Sequence, residues 1–536
     1  LQYLCYNKKQ AYFSQKWSDL HKKIFSAGSG AKGKEGGLRP VPSLREKENE
    51  MSKKRESWGS NVGFLLAAIG SAVGLGNIWA FPYKMGRAGG AVYLIIYLIL
   101  AVLVGVPMMV SELAIGRKTG LGVVGAYHKL SRRFGWIGWL AVLSPLLILG
   151  FYTVLGGYCI EYMCLNLANL GFDRHAATGQ ELFAGMLTNQ FGALMFTFLY
   201  LILGYLIIKG GIKGGIERFN RVGMPALAIM LVVVIVRSLT LPGAVEGLKF
   251  MFLPGYAVSH GYIAENPGFI SVLATAGGQM FFSLSLAMGI MVTYGSYLHA
   301  DEDLLKNSVV VVAADTIVAL MAGLAVLPAA IATYGTQAKL NGPSLLFVTL
   351  QDVFNTMGAV GPLFGAVFYL LVLVAAVSSS IALTEVLVTF LMDHANLRGK
   401  VGDRRKISLW VSAIVLVLAT IVSIDGLGSN GLWVPLKEQL SYVQEGVVRY
   451  VPFTETWLDF LDCLSEGLMM PLGALLLSFM VSWEIKPETV LHEVGTPMQA
   501  AWVQRAYRVC MRVIVPAVMV LVLMGQISDF FGLKWF

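Results

Sequence analysis

Long apolar runs separated by short charged joints constrain this chain more than any motif does. Runs of roughly 20 apolar residues or more, the length that crosses a bilayer as a helix, occur at about 61–86, 89–115, 137–167, 191–208, 220–241, 269–298, 305–334, 361–394, 407–424, 456–484 and 507–530. In lipid each run must satisfy its own backbone hydrogen bonds, which leaves the helix as its spanning form. The pattern predicts an all-α polytopic membrane protein with about 11 transmembrane helices. Only 14% of the 536 residues are charged, against about a quarter in a soluble domain, and no long soluble domain remains between the runs.

The formal charge of +9 resides in the joints. Basic clusters fall at Lys53–Lys54–Arg55, Arg117–Lys118, Lys129–Arg132–Arg133, Lys209–Lys213–Arg218–Arg221, Arg398–Lys400–Arg404–Arg405–Lys406 and Lys486–Arg505–Arg508, and alternate joints are poorer in Lys and Arg. The positive-inside rule then puts the N-terminus in the cytoplasm and the C-terminus outside, in a cell inner (plasma) membrane, and explains the charge without a nucleic-acid partner. Residues 1–50 are polar and patternless, and "MSKKRESW" from Met51 reads like a bacterial start. That extension is expected to be disordered or mis-assigned and to carry no function. The five cysteines show no metal or disulfide spacing, so inert packing is their expected role.

Two runs are interrupted at corresponding positions, the first at "AVGLGN" (72–77) and the sixth at "FFSLSLAMG" (281–289). Broken segments five runs apart point to two inverted five-helix repeats around a site at mid-membrane. We therefore expect a first repeat over 51–241, an extracellular loop and second repeat over 242–484, and an eleventh helix with the C-terminus over 485–536. Around Gly74 and Gly76 the backbone leaves helical geometry at little steric cost. The freed carbonyls suit a desolvated cation, and the N–H groups that open the second half-helix suit a carboxylate. A kinked helix with glycines for close packing is the plainer alternative. A Rossmann turn is excluded, since no strand precedes the glycines.

The stretch "WGSNVGFLLAAIGSAVGLGNIWAFPYKMGRAGGAVYLIIY" (58–97) closely resembles the opening of the neurotransmitter:sodium symporter family, bacterial amino-acid branch. "GIERFNRVGMP" (215–225), "GQMFFSLSLAMGIMVTYGSYL" (278–298), "ADTIVALMAGLAVLPA" (314–329) and "VAAVSSSIALTEVLV" (374–388) resemble its further motifs in order, from about Arg55 to 530. The resemblance implies two Na⁺ sites. One takes the Ala72 carbonyl, the side chains of Asn77, Ser283 and Asp315, and the substrate's carboxylate; the other takes the Gly70, Val73 and Ala375 carbonyls with the Ser378 and Ser379 hydroxyls. A carboxylate in mid-span is a functional candidate by default, although pairing with a buried hydroxyl would also explain Asp315. Chloride-dependent relatives carry Asn at that position, and a chloride-independent one carries Glu where this chain has Ala319. Asp315 can supply the same fixed charge, so no chloride is expected.

Amine-carrying relatives place Asp at the position of Gly74. Glycine leaves room for a substrate carboxylate to meet the Leu75 and Gly76 amides and the Tyr152 hydroxyl. The side chain would face Ile148, Phe282, Ser285, Met288, Ser379 and Leu383, which favours a hydrophobic or aromatic amino acid. The resemblance also implies a cytoplasmic gate of Arg55 with Asp393, supported by Trp58, Ser296 and Tyr297, with Glu385 where a bacterial relative has Gln. Outside, Ala80 replaces the family's gate arginine while its acidic partner remains as Asp462, and Lys84, one turn on, could reach it; a lysine snorkelling to the interface is the alternative. Gly215 and Pro225 have the family's spacing for unwinding the fifth span. Sodium-coupled amino-acid uptake follows, for which a monomer suffices and an oligomer stays open, with a transport-inactive amino-acid sensor or a channel as rivals. No enzyme is expected: "HEVG" (492–495) lacks the second His of a zinc helix.

Overall fold

A computed structural model describes residues 56–170, 177–265, 267–337, 342–399, 402–440, 442–444, 447–498 and 500–533. The extension 1–50 and Arg55 lie outside the described residues. Nine described helices are long and apolar enough to cross a membrane: Ala91–Thr119, Ile137–Ala168, Gln190–Ile208, Ile212–Leu239, Leu304–Gln337, Gly358–Leu397, Arg404–Asp425, Trp457–Glu484 and Ala501–Phe531. They correspond to the second to fifth and seventh to eleventh runs. Asn61–Ala72 and Gly76–Arg87 together qualify as one further span, bent by 47° at the first run's break. The sixth run is split into Phe269–Ser283 and the short Ile290–Gly295, neither of which reaches spanning length alone.

Local chemistry sets these boundaries. Ser60 caps the first helix by accepting the Gly63 N–H at 3.0 Å, and the helix stops at Ala72 because Val73 turns extended (φ −76°, ψ 97°). Beyond the break a π-helical turn, Gly76–Ala80, runs into Phe81–Arg87, and Pro82, which has no N–H to give to the preceding turn, falls just past the π-helical residues. The fifth helix begins at Ile212, earlier than its apolar run at 220, because the polar Ile212–Glu217 turn is also helical. Apolarity alone could not reveal that entry.

A pair of short strands departs from the purely helical expectation. Between the ninth and tenth helices, Tyr442–Gln444 and Val447–Arg449 pair as short antiparallel strands, Tyr442 opposite Arg449. Outside the spans, Gly179–Thr188, Ala244–Phe252 and Leu350–Asn355 are short helices. Burial divides the spans sharply: 72% of the third helix's most apolar stretch is inside the protein but only 28% of the fourth's. The third and eighth helices pack along one another, and the first half of the broken first run lies against the fifth, seventh and eighth.

Candidate functional site

The first break opens a cluster centred on Asp315, which is fully buried on the seventh helix. Its Oδ1 accepts from Asn77 Nδ2 at 2.7 Å, and its carboxylate accepts the Ser283 hydroxyl at 3.1 Å (Oδ1) and 2.9 Å (Oδ2). Asn77 Oδ1 accepts the Gly74 N–H at 3.1 Å. Residues from the first, sixth and seventh runs thus meet at one carboxylate. Two further partners went unread in the sequence: Tyr97 donates to Asp315 Oδ2 at 3.4 Å, and Gln279 Nε2 donates to the Gly76 carbonyl at 2.7 Å.

One turn toward the start of the first helix, Ser379 Oγ lies 3.4, 3.1 and 3.5 Å from the carbonyls of Gly70, Ser71 and Val73. Ser378 Oγ lies 2.8 Å from the Ala375 carbonyl and 3.5 Å from that of Val73. All five expected residues of this set, with Ser71 in addition, form a cluster of neutral oxygens, the donor type a small hard cation takes. Among the described residues no group of three or more His, Cys, Asp or Glu could hold a metal. The ion chemistry open to this region is that of carbonyls, hydroxyls and one carboxylate.

Between the two clusters lies a small cavity of about 20 Å³, lined by Ser71, Ala72, Gly74, Gly76, Ile148, Tyr152, Phe282, Ser285, Met288, Ser379 and Leu383. Eight of the nine expected substrate contacts line it. The ninth, Leu75, presents its N–H to the Tyr152 hydroxyl at 3.0 Å. Gly74 is needed here for close approach, since its backbone is not left-handed and a Cβ there would fall 2.3 Å from Ser379 Oγ and 2.7 Å from Tyr152 Oη.

The sixth-run break is built differently. Ser285 (φ 55°), Ala287 (φ 61°) and Gly289 (φ 76°) are all left-handed, which costs about 1–3 kcal/mol for each non-glycine residue. Polar contacts hold them: Ser285 Oγ donates to the Ser71 carbonyl at 2.8 Å, and the Ala287 N–H donates to Glu112 Oε1 at 2.7 Å. Glu112, fully buried in the second helix, was missed. The argument that singled out Asp315, an acid inside an apolar run, would have found it.

At the end expected to face the cytoplasm, Trp58 Nε1 donates to the Tyr294 carbonyl at 3.1 Å and its ring packs edge-on against Tyr294 and Tyr297. Ser296 Oγ turns back to the Thr293 carbonyl at 2.5 Å. Tyr297 donates to Glu385 at 2.9 Å, and Glu385 is tied to Arg404. Asp393 accepts the Gly122 N–H at 2.6 Å, while its expected partner Arg55 lies outside the described residues.

The pairing expected at the outer gate needs correction. Lys84 forms its ion pair with Glu466, at 2.7 Å, in place of the expected Asp462. Asp462 shares a vestibule of about 530 Å³ with Lys84, Glu466, Asp459 and Asp529, but its Oδ1 has no hydrogen-bond partner among the described residues. Glu466 lies one turn beyond Asp462 on the tenth helix, within reach of the long lysine stem. Replacing Lys84 or Glu466 by alanine is expected to lower the thermal midpoint by about 2–6 °C, and the double variant to lose little more than either. Additivity of the two losses, measured on detergent-purified protein, would refute the pairing.

A profile of the Sodium:neurotransmitter symporter family matches residues 55–178 and 182–535. The uncharacterized sodium-dependent transporter YhdH of Bacillus subtilis is 33% identical over 481 residues, covering 89% of this chain and 98% of its own. The uncharacterized sodium-dependent transporter MJ1319 of Methanocaldococcus jannaschii is 31% identical over 454 residues, 80% of this chain and 82% of its own. The crystal structure of MhsT in complex with L-phenylalanine superposes with a TM-score of 0.75 at 32% identity, covering 88% of this chain and all of that one. This chain, with its two broken runs facing a carboxylate and an oxygen cluster, belongs to the sodium:neurotransmitter symporter family.

Proposed function

We propose that this protein is a sodium-coupled symporter that takes up an amino acid with an apolar or aromatic side chain, without chloride. The observation that carries the reading is the meeting of the Leu75 N–H, the Tyr152 hydroxyl, the Asp315 cluster and the Ser378–Ser379 oxygen cluster around one small cavity. A substrate carboxylate would accept from the Leu75 and Gly76 amides and Tyr152, in space left by Gly74. One Na⁺ would lie beside it among Ala72, Asn77, Ser283 and Asp315, and a second among Gly70, Val73, Ala375, Ser378 and Ser379. The substrate side chain would lie toward Ile148, Phe282, Ser285, Met288, Ser379 and Leu383, a mostly apolar set; the L-phenylalanine bound in MhsT supports that choice.

Access would alternate through rocking of one inverted repeat, 51–241 and 242–484, against the other, with the N-terminus cytoplasmic in an inner membrane. Every proposed ligand comes from a single chain, so a monomer suffices. Two Na⁺ carried with one zwitterion move two charges, worth about 4.6 kcal/mol per 100 mV, enough for roughly thousandfold accumulation. In proteoliposomes, an inward Na⁺ gradient is expected to drive uptake of a labelled apolar amino acid at least about tenfold above a K⁺ gradient. A competition panel of all twenty amino acids then ranks substrates. Sodium-dependent binding without uptake would identify a sensor, and equal uptake in Na⁺ and K⁺ would refute the coupling.

A further inference from the structure

A buried carboxamide on the fifth helix turns an unused oxygen toward the first. Asn220 is fully buried, and its Nδ2 donates to the Ile216 carbonyl, one turn back, at 3.0 Å. Its Oδ1 has no hydrogen-bond partner among the described residues. Exchanging the two amide atoms would set that oxygen against the Ile216 oxygen, so the helix itself fixes which of them faces away. The first helix makes room for it: a Cβ at Gly70 would lie 2.0 Å from Asn220 Oδ1 and 2.9 Å from its Cγ. One turn earlier the fifth helix is held in register, since Glu217, 2% exposed, accepts the Gly59 N–H at 2.8 Å and the Ser60 hydroxyl at 3.4 Å.

Gly70 is also where the second oxygen cluster begins. Its carbonyl lies 3.4 Å from Ser379 Oγ, and Ser378 brings in the carbonyls of Val73 and Ala375. The fifth helix meets both partners at this level. One turn past Asn220, a Cβ at Gly223 would lie 3.3 Å from Val374 Cγ1, next to Ala375, and Met224 Sδ is 3.3 Å from the Cβ position of Gly70. Asn220 therefore stands where the first, fifth and eighth helices join, beside the backbone that supplies the cluster. An amide oxygen buried with nothing to accept is costly, whereas an apolar side chain would pack there without that penalty. As a donor it is of the same hard, neutral kind as the carbonyls and hydroxyls next to it.

We propose that Asn220 is a further determinant of cation binding at the second oxygen cluster, its carboxamide oxygen completing, directly or through one water, the shell of the Na⁺ held there. The five residues assigned to that ion above supply neutral oxygens alone. An added oxygen dipole therefore weighs more at this cluster than beside the Asp315 carboxylate. The proposal rests on the sodium-coupled reading above.

The test follows the thermal midpoint of the full chain in detergent, without amino acid, as sodium gluconate replaces potassium gluconate at constant ionic strength. Wild type is compared with Asn220→Leu, which keeps the branched shape without the oxygen, and with Asn220→Asp. Asn220→Leu is expected to keep the wild-type midpoint in K⁺, having lost only an unsatisfied oxygen, and to need roughly tenfold more Na⁺ for half of the stabilisation. Asn220→Asp should be less stable than wild type in K⁺, where its buried charge is unpaired, and should need less Na⁺. The Asn220→Leu shift should persist when Asp315 is also replaced by asparagine; its disappearance there would place the effect at the first ion and overturn the assignment. A wild-type Na⁺ requirement in Asn220→Leu, with or without an equal loss of midpoint in both salts, would reduce Asn220 to packing. Should Asn220→Leu fail to fold, Asn220→Asp decides, and a Na⁺ requirement no lower than that of wild type overturns the proposal. A wild type stabilised no more by Na⁺ than by K⁺ would instead refute the sodium-coupled reading itself.

Discussion

Replacing Asp315 by asparagine is expected to reduce sodium-driven uptake at least about 100-fold in chloride-free buffer, the effect of removing a buried countercharge from a desolvated ion. Asp315 is the carboxylate shared by Asn77, Ser283 and Tyr97, and its side chain is wholly enclosed. A neutral amide preserves its shape and most of its hydrogen bonding but not its charge. Wild-type uptake should be unchanged when gluconate replaces chloride, whereas the asparagine variant should regain part of its activity as chloride is added. Loss of wild-type uptake in gluconate would overturn the assignment of the fixed charge to Asp315, and so would a variant that transports normally without chloride.

Gly74→Asp is expected to eliminate sodium-dependent amino-acid binding, and Gly74→Ala to weaken it roughly tenfold or more. The obstacle is contact with neighbours, since the added Cβ would stand 2.3 Å from Ser379 Oγ and 2.7 Å from Tyr152 Oη. Aspartate adds a negative charge where the substrate's carboxylate is proposed to enter, so its loss should exceed that of alanine well beyond the difference in size. Binding of the labelled amino acid to purified protein, with thermal stability measured in parallel, separates a blocked site from a damaged fold. If Gly74→Asp binds an amino acid as tightly as wild type, the carboxylate does not enter beside Gly74.

How far the site could be read from the sequence depended on whether each residue interrupts an apolar run. Asp315, Asn77 and the Ser378–Ser379 pair do so in motifs that resemble the family's, and the structure puts Asn77 against Asp315 and the two serines against backbone carbonyls. Glu112 and Gln279 also interrupt apolar runs and were passed over, although a polar group inside the lipid thickness needs a partner, and theirs are the backbone at Ala287 and Gly76. Glu217 gave no such signal, because it sits in a charged joint that reads as solvated. Its burial becomes visible only when Gly59 and Ser60, more than 150 residues earlier in the chain, pack onto it.

By itself the sequence marked the runs that become the nine long helices and the bent tenth among the described residues, because crossing a hydrocarbon layer needs a set number of apolar residues whatever their neighbours. It also marked where two of the runs break. Tertiary structure alone decided which faces point inward, since lipid and protein interior are equally apolar: the third and fourth helices are both spanning segments, yet one is largely buried and the other is not. It decided as well that Lys84 meets Glu466 in place of Asp462, one turn away on the same helix. A long side chain reaches either acid, and only the packed positions of the first and tenth helices choose between them.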